Sequence, residues 1–419
     1  MKRSSTTIRL AVVAAASALA LAACGSDSDD DASDDASSSA PSGDGVLTVG
    51  SLLPQTGDLA FLGPPEFAGV DLAISEINDA GGVLGKDVAG VKADSGDGTP
   101  NIAPGETDNL LSDKSDVIIG AAASGVSLAV IDKITGAGVV QFSPANTSTA
   151  FDEYKDKGLY FRTAPSDVLQ GAVMANLLTQ DGKSNIAILA RQDAYGEALS
   201  EQVEKVYTEA GGTVAAKVLY DANASTFGSE AQQIADADPD AVVLIAFNET
   251  TTIIPELISA GVGPSDVQTY FVDGNTADYS DDFPEGTLDG VKATYPGAEL
   301  SDEFRDRLLK VDPDLKDFTY APESYDAVVL SALAAISAKD DSGEAIAGEL
   351  IKVSKDGTKC TSFADCVKLL DDGEDIDYDG VSGPIEFNDT GSPSAATIGI
   401  FEYAPDNTYA NIEYITGKI

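Results

Sequence analysis

The chain has 419 residues, enough for two or three domains, and 43% of them are hydrophobic, so sizeable cores can be buried. Its 25 Lys+Arg against 70 Asp+Glu give a formal charge of −45, a field that repels phosphate backbones and excludes nucleic acid as a partner. His is absent, which excludes Ser-His-Asp and Cys-His catalytic arrangements and every His-ligated metal site, and a mean hydropathy near zero excludes a multi-span membrane protein.

Lys2, Arg3 and Arg9 make a basic start, and Leu10 to Ala20 is an Ala-rich apolar run too short for a permanent membrane span. It ends in Leu21-Ala22-Ala23-Cys24, which resembles a bacterial lipobox. Residues 1–23 are therefore expected to be a lipoprotein signal peptide, and the Cys24 thiol to carry lipid on the extracytoplasmic face of the cell membrane. An ordinary signal peptide that happens to contain Cys is the alternative. Residues 24–45 are almost all Gly, Ser, Asp and Ala, which predicts a flexible, self-repelling tether. The Asp spacing there lacks the Gly and Glu of an EF-hand loop, and no metal site is expected.

From Val46 onward strand and helix signals alternate. Val46 to Leu53 is strand-like; Phe67, Val70, Ile74 and Ile77 then share one helical face, and Gly81-Gly82 stops the helix. Short apolar runs follow at Val117–Ile119, Val139–Phe142, Ile186–Leu189, Val214–Leu219, Ala241–Phe247 and Gln268–Val272. The starts at 186, 214, 241 and 268 lie 27 or 28 residues apart, the length of one βα unit, although the segments are not repeats of one another. Such alternation predicts α/β architecture, with parallel sheets covered by helices on both faces and enough chain for two lobes. Of the remaining cysteines, Cys360 and Cys366 form a close pair, which outside the cytoplasm reads as a disulfide.

A parallel α/β sheet presents its binding groups at the carboxyl ends of its strands. Ser124 follows Val117-Ile-Ile-Gly at a helix start, where it either caps the helix or offers donors to an anion. Ser143-Pro-Ala145-Asn146-Thr147-Ser is dense in hydroxyls and amides at a strand end, and alone reads as a turn. Tyr195 stands at a strand-to-helix turn, able to pack on a ligand or on its own core. Asn248 and Asp273 follow the next two runs, and the Asp273 carboxylate could hold an ammonium or simply make a turn before Gly274.

Together these segments resemble the type I periplasmic solute-binding family, specifically its branched-chain amino-acid branch of ABC importers. The resemblance rests on Leu53-Pro-Gln-Thr-Gly57, Gly81-Gly-Val-Leu-Gly85, Ile119-Gly120 to Ser124, Phe142-Ser-Pro144 with Thr147, Tyr195-Gly-Glu197, and Gly383-Pro-Ile-Glu-Phe-Asn388 with Gly391, in this order behind the lipobox. It implies two doubly wound parallel-sheet lobes joined by three crossing strands, with ligand bound in the cleft between them. Lobe 1 would take residues 46–163 and 297–384, and lobe 2 residues 164–296 and 385–419. The resemblance also implies that Ser124 holds a ligand carboxylate. It gives Ala145 or Asn146, with Thr147, to both carboxylate and amino group, Tyr195 to covering the ligand, and Asp273 to the ammonium. The chain departs from the family near Phe61-Leu62, where Leu62 stands in place of a frequent Tyr, and near Phe247-Asn248, where an aromatic gives way to Asn248. The identity of the ligand side chain is thereby left open.

The function expected is that of a lipid-anchored receptor that delivers a small polar ligand to a membrane permease. It would act as a monomer without cofactor, and its ligand would be an amino acid of the branched-chain type. An amide, urea-like compound or small organic acid is the alternative ligand class. An extracellular enzyme is disfavoured, since G-x-S-x-G, G-x-x-x-x-G-K-[ST] and post-strand G-x-G-x-x-G motifs are all missing, although a carboxylate-pair hydrolase stays open among so many acids.

Overall fold

The computed structural model describes residues 43–98 and 101–419. The expected signal peptide, Cys24 and the tether up to residue 42 lie outside the described residues. The chain begins with β1 (Thr48–Leu53), α1 (Gly63–Asp79), β2 (Ala89–Asp94), α2 (Ala103–Ser112), β3 (Val117–Gly120), α3 (Ser124–Gly136), β4 (Val140–Ser143) and β5 (Tyr160–Arg162). The five strands pair in parallel in the order β2-β1-β3-β4-β5. β1, β3 and β4 are buried along their whole length, which is why they read as continuous apolar runs rather than alternating ones. The expected helical face is real: Val70 and Ile77 are buried in the core beneath α1, with Phe67 and Ile74 packed at its margin.

After β5 the chain crosses into a second body made of α4 (Asp167–Gln180), β6 (Asn185–Arg191), α5 (Ala194–Glu209), β7 (Thr213–Tyr220), α6 (Gly228–Asp236), β8 (Ala241–Ile245), α7 (Thr250–Ser259), β9 (Gln268–Phe271) and β10 (Lys292–Pro296). It returns to the first body with α8 (Asp302–Val311), α9 (Ala321–Ala338), α10 (Gly343–Val353), β11 (Thr358–Cys360), α11 (Phe363–Asp371), β12 (Ile376–Gly380) and β13 (Gly383–Pro384). It then crosses a third time to β14 (Ala395–Tyr403) and β15 (Tyr409–Lys418). The second sheet runs β15-β14-β10-β9-β8-β6-β7. Its β14 and β15 are antiparallel, a departure from the all-parallel expectation. A hairpin turning at Asn407, held at φ +62°, reverses the chain there.

Two features were not legible. α9 is buried without a break from Ala321 to Ala335, so it shows no amphipathic stripe, and it packs between α1 and α10 as the spine of the first lobe. The β11-β12-β13 sheet is small and carries the expected disulfide, Cys360 to Cys366, with Cα atoms 5.4 Å apart. A loop this short is worth about 2 kcal/mol in the chain-entropy account.

Two expected boundaries shift. The tether ends before residue 45, because Gly43 N–H donates to Asp340 Oδ1 at 3.0 Å and Asp44 pairs with Lys114 at 3.0 Å. The last crossing falls later than 384, because Ile385 and Phe387 belong to the first lobe's core. Phe387 packs edge-on against Phe142 and Phe161, with ring centroids 5.9 and 5.5 Å away.

All three crossings meet around one small cavity lined by Thr163, Pro165, Gly297, Glu323, Pro384 and Pro393. Glu323, in the first turn of α9, is fully buried there, and burial pushes its carboxyl up to about 8. Glu66 of α1 is also fully buried, and burial together with Glu323 raises it well above its ordinary value. The folded pKa of Glu323 exceeds the unfolded one, so its contribution to stability is complete below about pH 4.5. That contribution is lost as pH rises towards 8, on the order of 4–5 kcal/mol across the window. Denaturant titrations of Glu323→Gln against the wild-type chain should show the variant gaining relative stability over that range. Parallel pH dependences in the two proteins would show that Glu323 is ionised in the fold.

Candidate functional site

The two large sheets aim the carboxyl ends of their strands at each other, and one narrow pocket lies between them. From the first lobe come Leu59 and Leu62 after β1, Ala122, Ala123 and Ser124 after β3, and Ala145 after β4. The second lobe supplies Tyr195 after β6, Phe247 after β8, and Asp273 and Gly274 after β9. Tyr320, which precedes α9, completes the lining. The topology thus places the site where strand ends converge on helix starts.

Ser124 is the first residue of α3, and Ala123, not Ser124, stands at the cap position; no side chain caps this helix. The capping alternative for Ser124 therefore fails. Its hydroxyl accepts only a long bond from Ser148 N–H, at 3.4 Å. The positive end of α3 and the Ser124 hydroxyl face the pocket together, an arrangement suited to an anion. The backbone that brings them there needs Gly120, whose φ is +128°: a Cβ would stand 2.0 Å from Leu52 O.

The loop after β4 is built from inside. Ser143 Oγ accepts from Ala145 and Asn146 N–H at 3.2 and 2.9 Å, and Asn146 Nδ2 donates to Ala121 and Ala122 O at 3.0 and 2.8 Å. Asn146 Oδ1 accepts from Tyr160 OH at 3.0 Å, so its side chain supports the loop and does not face the pocket. Thr147 is buried one step behind the lining, with its hydroxyl beside Asp167. The loop also hangs from Arg162, which is fully buried at the end of β5. Arg162 donates to Asn146 O at 3.2 Å, Ser148 O at 3.0 Å and Ser392 Oγ at 2.8 Å, and its Nη2 pairs with Asp152. Nothing in the linear pattern around Arg162 marks this role.

On the opposite wall Asp273 is 5% exposed and carries three donors: Tyr195 OH at 2.5 Å, Tyr320 OH at 2.8 Å and Gln170 Nε2 at 3.0 Å. Burial pushes its carboxyl up, and these bonds only partly offset that. Tyr195 stacks on Phe247 with centroids 5.5 Å apart, and the Arg191 guanidinium lies 3.4 Å over the other partner of that stack, Phe247. Arg191 is fixed there by Glu249 at 2.8 Å and Asp193 at 2.6 Å. Tyr320 holds a left-handed backbone at φ +59°, uncommon for an aromatic, while reaching from the first lobe to Asp273 in the second.

Asn146 and Thr147 thus stand behind the lining, and Asn248 lies outside the pocket altogether. Its side chain is exposed, because the strand ends at Ile245 and the next inward position belongs to Phe247. The aromatic that seemed missing is present one residue earlier. Asn248 contributes instead through its backbone N–H, which donates to Asp58 O of the first lobe at 3.3 Å. Ser148 Oγ to Ala194 O at 2.7 Å is a further bond between the lobes. Leu59, Phe247, Tyr320, Gln170 and Asp167 were missed by sequence reasoning; only Phe247 carried a signal, as the last apolar residue of its run.

A sequence profile of the family described as "Periplasmic binding protein" matches residues 46–398. Among curated proteins, a chemotactic signal transduction system substrate-binding protein, BasB, of Halobacterium salinarum is 29% identical over 357 residues, covering 81% of this chain and 83% of that one. A leucine-, isoleucine-, valine-, threonine- and alanine-binding protein of Pseudomonas aeruginosa is 31% identical over 163 residues, 39% of this chain and 43% of that one. Among solved structures, the branched-chain amino acid transporter substrate-binding protein LivJ of Streptococcus pneumoniae, in complex with isoleucine, superposes with a TM-score of 0.72 at 21% identity, over 89% of this chain and 100% of that one. An ABC-transporter solute-binding protein of R. palustris in complex with benzoate superposes with a TM-score of 0.71 at 19% identity, over 90% and 98%.

Proposed function

We propose a function for this chain from the premise that it belongs to the periplasmic binding protein family: it captures an amino acid with an apolar side chain in the cleft between its lobes and hands it to an ABC permease. One observation carries the reading. The pocket is bipolar, with the α3 start and Ser124 on one side and the buried Asp273 carboxyl on the other, both at strand ends. A zwitterion satisfies both poles at once. Leu59, Leu62, Phe247 and the ring of Tyr195 supply an apolar wall for its side chain. In this reading Cys24 carries the lipid that keeps the receptor at the membrane, residues 46–163 with the returning segment from Gly297 through Phe387 form one lobe, and residues 164–296 with the C-terminal segment holding β14 and β15 form the other. The chain works by binding and release, without turnover.

The test is calorimetry with L-leucine, L-isoleucine and L-valine against their desamino counterpart 4-methylpentanoate and against benzoate, paired with small-angle scattering. The amino acids should bind, the two acids should not, and binding should reduce the radius of gyration as the lobes hinge at the three crossings. Binding of benzoate or 4-methylpentanoate in preference to the amino acids would replace this reading with an organic-acid receptor.

A further inference from the structure

Behind the pocket lies a second acid that the proposed function does not use. Asp167 opens α4, directly after the first crossing, and its side chain has no exposure. Neither carboxyl oxygen has a hydrogen-bond partner, nor does Gln170 Oε1 or Thr147 Oγ1. Among the described residues the one donor beside the Asp167 carboxyl is the Thr147 hydroxyl, which lies outside close hydrogen-bond geometry and can serve only one of its two oxygens, so a buried acid is left under-satisfied. The carboxyl of Asp273 is the next acid along, joined to the same cluster through Gln170, whose Nε2 donates to it.

The charged surroundings do not resolve the conflict. Asp167 faces Asp273 from the end of β9, Thr147 from the loop after β4, Tyr195 from α5, and Arg162 from β5. Arg162 is committed to Asp152 and to two carbonyls, and Asp152 adds further negative charge beside Asp167. Asp273 faces Tyr195, Tyr320 and Gln170, all neutral, and beyond Tyr320 stands Glu323 of α9, another acid. Burial and the proximity of Asp273 hold the Asp167 carboxyl well above the usual carboxylate range. Two carboxyls in one dry site do not both ionise.

We propose that Asp167 is a second acidic residue of the amine subsite, that it and Asp273 share one proton in the ligand-free cleft, and that the incoming ammonium group displaces this proton. The exchange balances: the ligand arrives as R–NH3+ and meets Asp273 in the pocket wall, the pair changes from one carboxyl and one carboxylate to two carboxylates, with Asp167 behind Asp273 rather than in contact with the cation, and one proton leaves to solvent. A neutral amide or an organic acid cannot carry out this exchange, so the pair selects for a cationic head group. The inference rests on the reading of the cleft as an amino-acid receptor, and its test separates the two.

Titration calorimetry of the mature chain with L-leucine is run near neutral pH in phosphate and in Tris, whose ionisation enthalpies differ. The expected result is release of about one proton per bound L-leucine by the wild type and of none by Asp167→Asn. L-leucine binding without proton release, or with equal release by the variant, overturns the shared proton while leaving the receptor reading intact. Binding of 4-methylpentanoate in place of L-leucine fails both. A ligand-free measurement makes the outcome independent of the choice of amino acid. Because burial and Asp273 raise the folded Asp167 above its unfolded value, wild-type stability should fall relative to Asp167→Asn as pH rises above the ordinary carboxylate range. Superimposable pH profiles overturn the proposal. Should Asp167→Asn fail to fold, infrared spectroscopy of the wild type decides: a protonated-carboxyl band present at neutral pH should diminish on adding L-leucine, and an unchanged band overturns the proposal.

Discussion

If the cleft takes an amino acid as proposed, Asp273→Asn is expected to weaken its capture on the order of 30- to 3,000-fold. The carboxyl is 5% exposed in the pocket wall, so an ammonium bound there would be stripped of water on both sides. Removing one partner of a buried, hydrogen-bonded charge pair costs roughly 2–5 kcal/mol, and each 1.4 kcal/mol is about a factor of ten. The substitution keeps the shape of the side chain. Tyr195 and Gln170 donate to one carboxyl oxygen and Tyr320 to the other, so with the amide oxygen kept toward Tyr195 and Gln170 the Tyr320 hydroxyl can turn to accept from the new NH2. The fold should therefore survive. Asp278 is exposed and bonds only to the nearby Ser280 N–H, so Asp278→Asn is the control and should bind as the wild type does. Calorimetry in which Asp273→Asn binds within about threefold of wild type, some 0.7 kcal/mol, would remove Asp273 from the ammonium contact.

A large effect on stability is also expected at Arg162. It joins β5, the loop that carries Ala145, and Ser392 of the third crossing through one guanidinium with no exposure. Arg162→Met fills much of the same volume but strands Asp152 and two carbonyls. Asp152 is 31% exposed and keeps Ser166 Oγ at 2.8 Å, so the loss should fall toward or below the lower end of the roughly 3–5 kcal/mol typical of a fully buried pair. Arg162→Lys should recover only part of it, because a point charge cannot serve contacts spread around a planar fork. Denaturant melts of the two variants test this. A loss below about 1 kcal/mol in Arg162→Met would show that the loop is held by Ser143 and Asn146 alone.

What could be read from the sequence follows from how each element meets its neighbours. The strands β1, β3, β6, β8 and β9 are buried runs bounded by turns, and their pattern survives in one dimension. The pocket-lining residues directly after them, Ser124, Ala145, Tyr195 and Asp273, were legible for the same reason: a parallel sheet fixes the place of its strand ends. Asn248 failed by one position because a run of apolar residues does not reveal where the strand stops and the last one turns inward. α9 is buried all round and has no period to find. Tyr320 and Arg162 act across sequence separations of 47 residues to Asp273 and 230 to Ser392, contacts that no local pattern contains. Asp167 is a plain helix-start residue in sequence; only its lack of partners in three dimensions makes it conspicuous.

The threefold crossing also governs how the molecule comes to be folded. β10 finds β14 as its antiparallel neighbour only after the whole of the returning segment, α8 to β13, has been laid down between them. Until the last two strands arrive, the second sheet has an open edge at β10, a row of unpaired peptide groups available to any passing strand. Closing so long a loop is entropically unfavourable and slow, and most of the sheet's late pairing is non-local. A chain shortened ahead of Ala395 would therefore keep every pocket residue and still lack a finished second lobe. Its hazard is self-association through β10, and a partner that shields this edge during synthesis and export would matter more to the yield of receptor than any residue of the cleft.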